Sequence, residues 1–127
     1  MPYLNDSVLD GGLAILDTLA DRIDICSQEP ATYTEATSTY TLGFKDHGAA
    51  GTAFGSPVDG DTSGRKVVST AVTDGSVTGT GTASHWAVSD VTGTALLAAS
   101  TLSASQAVTS GNSFSLPAFD IELPDPA

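Results

Sequence analysis

Positive charge is the scarcest property of this chain. Arg22, Lys45, Arg65 and Lys66 are its only basic side chains against 15 acidic ones, a formal net charge of −11. Four scattered cations cannot neutralise a run of phosphates, so no nucleic-acid partner is expected. An anionic membrane surface would repel the chain as well. Cysteine is nearly absent too. Cys26 stands alone, which excludes an intrachain disulfide. It lies in the apolar run Ile23-Asp24-Ile25-Cys26, where a buried, inert thiol is expected. The longest apolar run, Ala95 to Ala99, is far too short to cross a bilayer as a helix. The segment Met1-Pro2-Tyr3-Leu4-Asn5-Asp6 has no basic stretch followed by a long apolar core, so no signal peptide is read there. These absences predict a soluble protein made in a cytoplasm.

Catalytic patterns are lacking as well. His47 and His85 are the only histidines, and neither stands at metal-ligand spacing from Cys26 or a carboxylate. His47 reads as a loop residue, and His85 as an exposed or interfacial strand residue. No Gly-x-Ser-x-Gly elbow is present. Gly79-Thr80-Gly81-Thr82 is not followed by a helix that could hold a phosphate. The segment Asp59-Gly60-Asp61-Thr62-Ser63-Gly64 imitates the start of a calcium loop. Its last position would be Thr70 instead of a bidentate Glu, so a plain turn is the reading. Most other carboxylates sit in Gly-rich turns and read as solvated. The expectation is a protein that is not an enzyme and carries no cofactor and no metal.

What is abundant is Thr, Gly and Ser, which suits short strands joined by tight turns. A length of 127 residues makes one ordinary domain, able to fold without a metal or disulfide staple. Residues 1–5 read as an N-terminal arm, and 6–127 as a single β-rich domain. Within it, one helix is expected over about 6–20. Asn5 or Asp6 would cap it, and Val8, Leu9, Leu13, Leu16 and Leu19 recur on one face. Strands are expected over Arg22 to Ser27, Thr39 to Gly43, Lys66 to Val72, Ser76 to Asp90 (whole or divided), Ala95 to Thr101 and Ser113 to Leu123. A helical turn is read near Tyr33 to Thr37. Residues 44–64 read as surface loop with a short strand near Thr52 to Phe54. Turns are placed at Thr73-Asp74-Gly75 and Val91 to Gly93, and a kink or bulge at Pro117. Trp86 and Val88 share one face of their strand and read as core, opposite His85 and Ala87. The fold class is therefore mainly β: a single antiparallel β-sandwich or barrel-like domain over about 22–123, with one short N-terminal helix.

Three segments together carry a resemblance. They are Asp24 to Tyr40, Gly75 to Asp90 with its His85-Trp86-Ala87 centre, and Thr101 to Pro124 with Ser110-Gly111-Asn112-Ser113-Phe114 and Phe119-Asp120-Ile121. The chain resembles a family of small virion structural proteins of tailed phages and prophages, over most of its length apart from residues 44–62. The resemblance implies a particle component without catalytic residues, and first of all a capsid decoration (cement) protein located in the virion. Its partners would be the major capsid protein lattice, copies of itself as dimer or trimer, or both. Tyr3, Leu4, Tyr33 and Tyr40 are the expected lattice or intersubunit contacts, although Tyr3 and Leu4 read equally as a frayed terminus. Two other functions stay open: a tail, neck or fibre-associated adaptor, and a carbohydrate-binding domain using Trp86, Tyr33 and Tyr40. The acidity suits a basic partner surface or simple solubility.

Overall fold

The computed structural model describes residues 6–48 and 52–124, and side chains from Gly11 onward. The chain is mainly β and antiparallel, with one short helix at its start. Helix α1 (Asp6–Leu19) buries Leu13 and Leu16, followed by Ala20 just past its end. At roughly 100° per residue these three lie within one narrow stripe. Leu19 falls outside that stripe and is exposed, as is Ile15, so the expected apolar face is narrower than its spacing suggested. Asn5, Val8 and Leu9 lie outside the described side chains, as do Tyr3 and Leu4.

Nine strands follow among the described residues: β1 (Arg22–Cys26), β2 (Thr41–Asp46), β3 (Val58–Asp59), β4 (Arg65–Val68), β5 (Val72–Val77), β6 (Gly81–Asp90), β7 (Ala95–Val108), β8 (Ser113–Leu116) and β9 (Asp120–Leu123). They form a curled six-stranded sheet, ordered β7-β6-β1-β2-β5-β8, and a three-stranded sheet, β3-β4-β9. Helix α1 packs on β4. Leu13, Leu16, Ile23, Ile25, Phe54, Val67, Val72, Trp86, Val88 and Phe114 share one core between these layers.

Several expected boundaries moved, each for a local reason. Lys66 to Val72 divides: β4 pairs with β9 in the small sheet, whereas Val72 opens β5 in the large one. Thr73-Asp74-Gly75 is strand instead of turn. Its glycine serves packing, because a Cβ at Gly75 would run into the Phe114 ring. The actual break comes at Thr78–Thr80, where the amides of Thr78 and Gly79 both donate to the Leu42 carbonyl, at 2.8 and 3.0 Å. Pro117 does more than kink a strand: it separates β8 in the large sheet from β9 in the small one. Strand β2 begins later than expected and runs on to Asp46, and β7 extends beyond Thr101 to Val108. Near Thr52 to Phe54 the structure has a single bridge, Phe54 to Ser69.

Strand β1 from Ile23 and strand β6 from Trp86 are buried on both faces, so Ala87 is as inaccessible as Val88. The inner face meets the core. The outer face is covered by residues 31–40, which wind into a π-helical turn at Glu35–Thr39. A reciprocal cap starts that turn: Glu35 N donates to Thr32 Oγ1 at 3.1 Å, and Ala31 N donates to the Glu35 carboxylate at 2.8 Å. The turn lays Ala36 over Cys26 and Ala87.

Candidate interaction surface

The large sheet curls without closing. Strand β7 pairs with β6 and β8 with β5, and no described strand pairs with the outer edge of either. The Thr109–Asn112 turn that joins them is held at the far end of the sheet. Gly111 N donates to Val77 O, Val77 N to Asn112 O, and the Ser110 amide and hydroxyl bond Thr80 Oγ1 and Thr78 O. Gly111 takes a φ of 93°, which favours glycine. With its turn pinned there, β7 leaves on the β6 side and β8 on the β5 side. Both strands line the seam left between them.

The seam opens over a cavity of about 550 Å³ whose apolar walls include Ile25, Trp86, Leu102, Phe114, Leu116 and Phe119. Trp86 stacks on Phe119 at 4.2 Å between centroids, and Phe119 meets Phe54 edge-on at 5.9 Å. Strand β7 leaves its partner between Thr101 and Gln106, where the β6 register passes only from His85 to Ala83. The extra residues form a bulge that overhangs the cavity with Leu102, Ser103 and Ala104. Most of β7 from Ser100 to Ala107 is exposed.

Every residue lining this seam is uncharged. The reason is legible in the sequence once it is looked for: from Val91 to Phe119 there is no Asp, Glu, Lys, Arg or His. Both open edges of the large sheet fall inside that stretch. Edge strands of monomeric proteins are ordinarily guarded by charge, proline or a covering element. Here Pro117 follows β8, and β7 carries neither charge nor proline, only its bulge.

The charged residues gather elsewhere. On the outer face of β1, Arg22 grips buried Asp24 through two bonds of 2.8 and 2.9 Å. Thr41 Oγ1 donates to Asp24 at 2.7 Å, and the guanidinium lies 3.9 Å from the centroid of Phe44. Burial raises the Asp24 carboxyl above its ordinary range, with Arg22 and Thr41 pulling against it. For Arg22 burial acts downward, yet the hydrogen bond and charge of Asp24 lift its pKa on balance. Asp21, Asp24 and Asp90 are all buried, which corrects the reading of the carboxylates as turn residues in water. Asp21 and Asp90 accept the amides of Val91 and Gly93 and so fasten the β6–β7 turn.

The calcium-like loop spends its carboxylates on cations. Asp59 meets Arg65 and Asp61 meets Lys66, each at 2.6 Å, and Lys66 also reaches Asp120 at 3.0 Å. Those hydrogen bonds hold the Lys66 ammonium above its usual pKa. Gly64 closes the loop at a φ of 71°. Among the described residues no three metal-ligating side chains converge. Cys26 is fully buried, and burial pushes its thiol up to about 12. His47 is half-buried, its Nδ1 without a partner among the described residues, and burial lowers its pKa. His85 is half-buried beside Ser84.

Tyr33 and Tyr40 are half-buried in the segment that covers β1, and neither lines the seam. Tyr40 packs against the Cys26, Ala36 and Ala87 cluster. Trp86 is 9% exposed with its ring stacked on Phe119, a core position. No helix among the described residues is long and apolar enough to cross a membrane. No protein-family model, curated protein or solved structure matches the chain.

Proposed function

We propose that this chain is a virion structural protein of a tailed phage, a capsid decoration protein made in the host cytoplasm that binds and stabilises the head lattice. The observation that carries the reading is the open seam. Two open sheet edges beside an apolar groove suit contact with protein, a lattice subunit or another copy of the chain, where backbone groups and apolar area supply the binding. The resemblance of Asp24 to Tyr40, Gly75 to Asp90 and Thr101 to Pro124 to small phage structural proteins supplies the biological setting. The acidic remainder of the surface suits a basic patch on the lattice and would speed encounter with it.

The test is a copy count. In purified particles the chain should band in numbers comparable to the major capsid protein, and particles lacking it should lose their contents at lower temperature. A handful of copies per particle, as a tail or neck adaptor would give, overturns the decoration role. Absence from particles overturns the virion reading altogether.

A further inference from the structure

The geometry points to a second copy of this chain as the occupant of the seam, the two protomers meeting seam to seam about a twofold axis. The inference rests on the seam being a protein contact, and not on the phage assignment. Charge selects the occupant. The chain carries −11 overall, so two copies repel wherever their ordinary surfaces meet. Val91 to Phe119 is the long stretch where that repulsion has no source, and it supplies nearly the whole rim. A partner chosen for basic charge would be met by exposed carboxylates elsewhere, such as Glu29 and Asp46, and gains nothing from a neutral rim.

Composition agrees. The exposed stretch Ser100 to Ala107 mixes hydroxyl, amide and methyl groups, so a patch of this kind is compatible with itself. The outer edge of β7 offers backbone donors and acceptors that a like strand can match with no pattern of charges. Self-contact through one patch is isologous, which closes at two copies. It would also cover the edge of β7, which no described strand pairs, and the apolar cavity beside it.

The experiment is sedimentation of the purified chain, with variants at Ala104, an exposed residue on the overhanging bulge. The wild type is expected as a dimer at about 1–100 µM. Its association should strengthen as salt rises from about 20 mM to about 300 mM, because screening relieves the repulsion of like-charged copies. Ala104→Asp and Ala104→Lys should each weaken association by at least ~100-fold, since either places an unpaired charge in a dry contact. Thr62→Asp, in an exposed turn away from the seam, should leave it unchanged. Amide exchange gives an independent reading that needs no variant: Ser100 to Val108 should gain protection as protein concentration rises. A monomeric wild type, a trimer, association that weakens with salt, or dimers indifferent to both Ala104 variants would overturn the inference. A monomer in solution leaves the copy count in particles untouched, and absence from particles leaves the dimer untouched, so the two failures are distinguishable.

Discussion

Arg22 and Asp24 show what a single pair of residues does in this fold. Two positions apart on β1, they emerge on the same face, where Asp24 is fully buried and Arg22 keeps 16% exposure and donates to the Thr37 carbonyl of the π-helical turn. Removing one partner from such a pair is costly because the other is left buried and uncompensated. Asp24→Ala is expected to lower stability by about 3 kcal/mol at neutral pH, measured by urea unfolding. The pH dependence runs opposite to the usual acidic residue. Asp24 has a folded pKa above the ordinary value of 3.8, so the folded state holds its proton more tightly than the unfolded chain. The stability linked to that proton is fully present below 3.8 and is lost as pH rises through the raised folded value. Wild type should therefore gain on Asp24→Ala as the pH falls through that window; a constant gap would refute the assignment. This pair was hidden at the level of sequence. Asp24 looked like one of many carboxylates, and only the cover laid over β1 distinguishes it from a solvated one.

At the scale of elements, β5 and β8 illustrate how a glycine can be misread. Thr73-Asp74-Gly75 has the composition of a turn, yet these residues lie within a strand whose register slips between Val72 and Gly75. The glycine is there because Phe114, on the neighbouring strand, lies across the space a Cβ would fill. Gly75→Ala is accordingly expected to cost about 1–3 kcal/mol through overpacking. Combined with Phe114→Leu, the alanine should cost clearly less than it does alone, and a fully additive double variant would show that the ring is not the cause. Pro117 was legible as an interruption, since it cannot donate within a ladder. That β8 and β9 then join different sheets was not, because sheet membership depends on partners distant in the chain.

For the molecule as a whole, Phe119 is the joint between the two sheets. It sits between β8 and β9, stacks on Trp86 of β6, and meets Phe54 edge-on. Its amide donates to Ser69 Oγ and its carbonyl accepts from the Ser69 amide, at 2.9 and 2.7 Å, just beyond β4. If one core spans both layers, Trp86 fluorescence and far-ultraviolet circular dichroism should report a single unfolding transition. Phe119→Ala is expected to lower stability by about 3 kcal/mol. Two separated transitions in the wild type would mean that the sheets fold as independent units.

The sequence alone determined the class of the fold, one N-terminal helix followed by short antiparallel strands. Alternation, turn residues and a scarcity of long apolar runs are local properties that a chain displays whatever its tertiary partners. It also determined that Cys26 and Trp86 would be core, because their neighbours alternate with a buried face. Only the tertiary structure decided which strands share a sheet, that β1 and β6 would be covered twice, and that the curl would stop short of closing. Those outcomes depend on long-range pairings such as Val77 with Asn112 and Ser110 with Thr80, which no local pattern encodes. The seam belongs to both levels: its neutrality is written from Val91 to Phe119, but only folding turns that stretch into two facing edges.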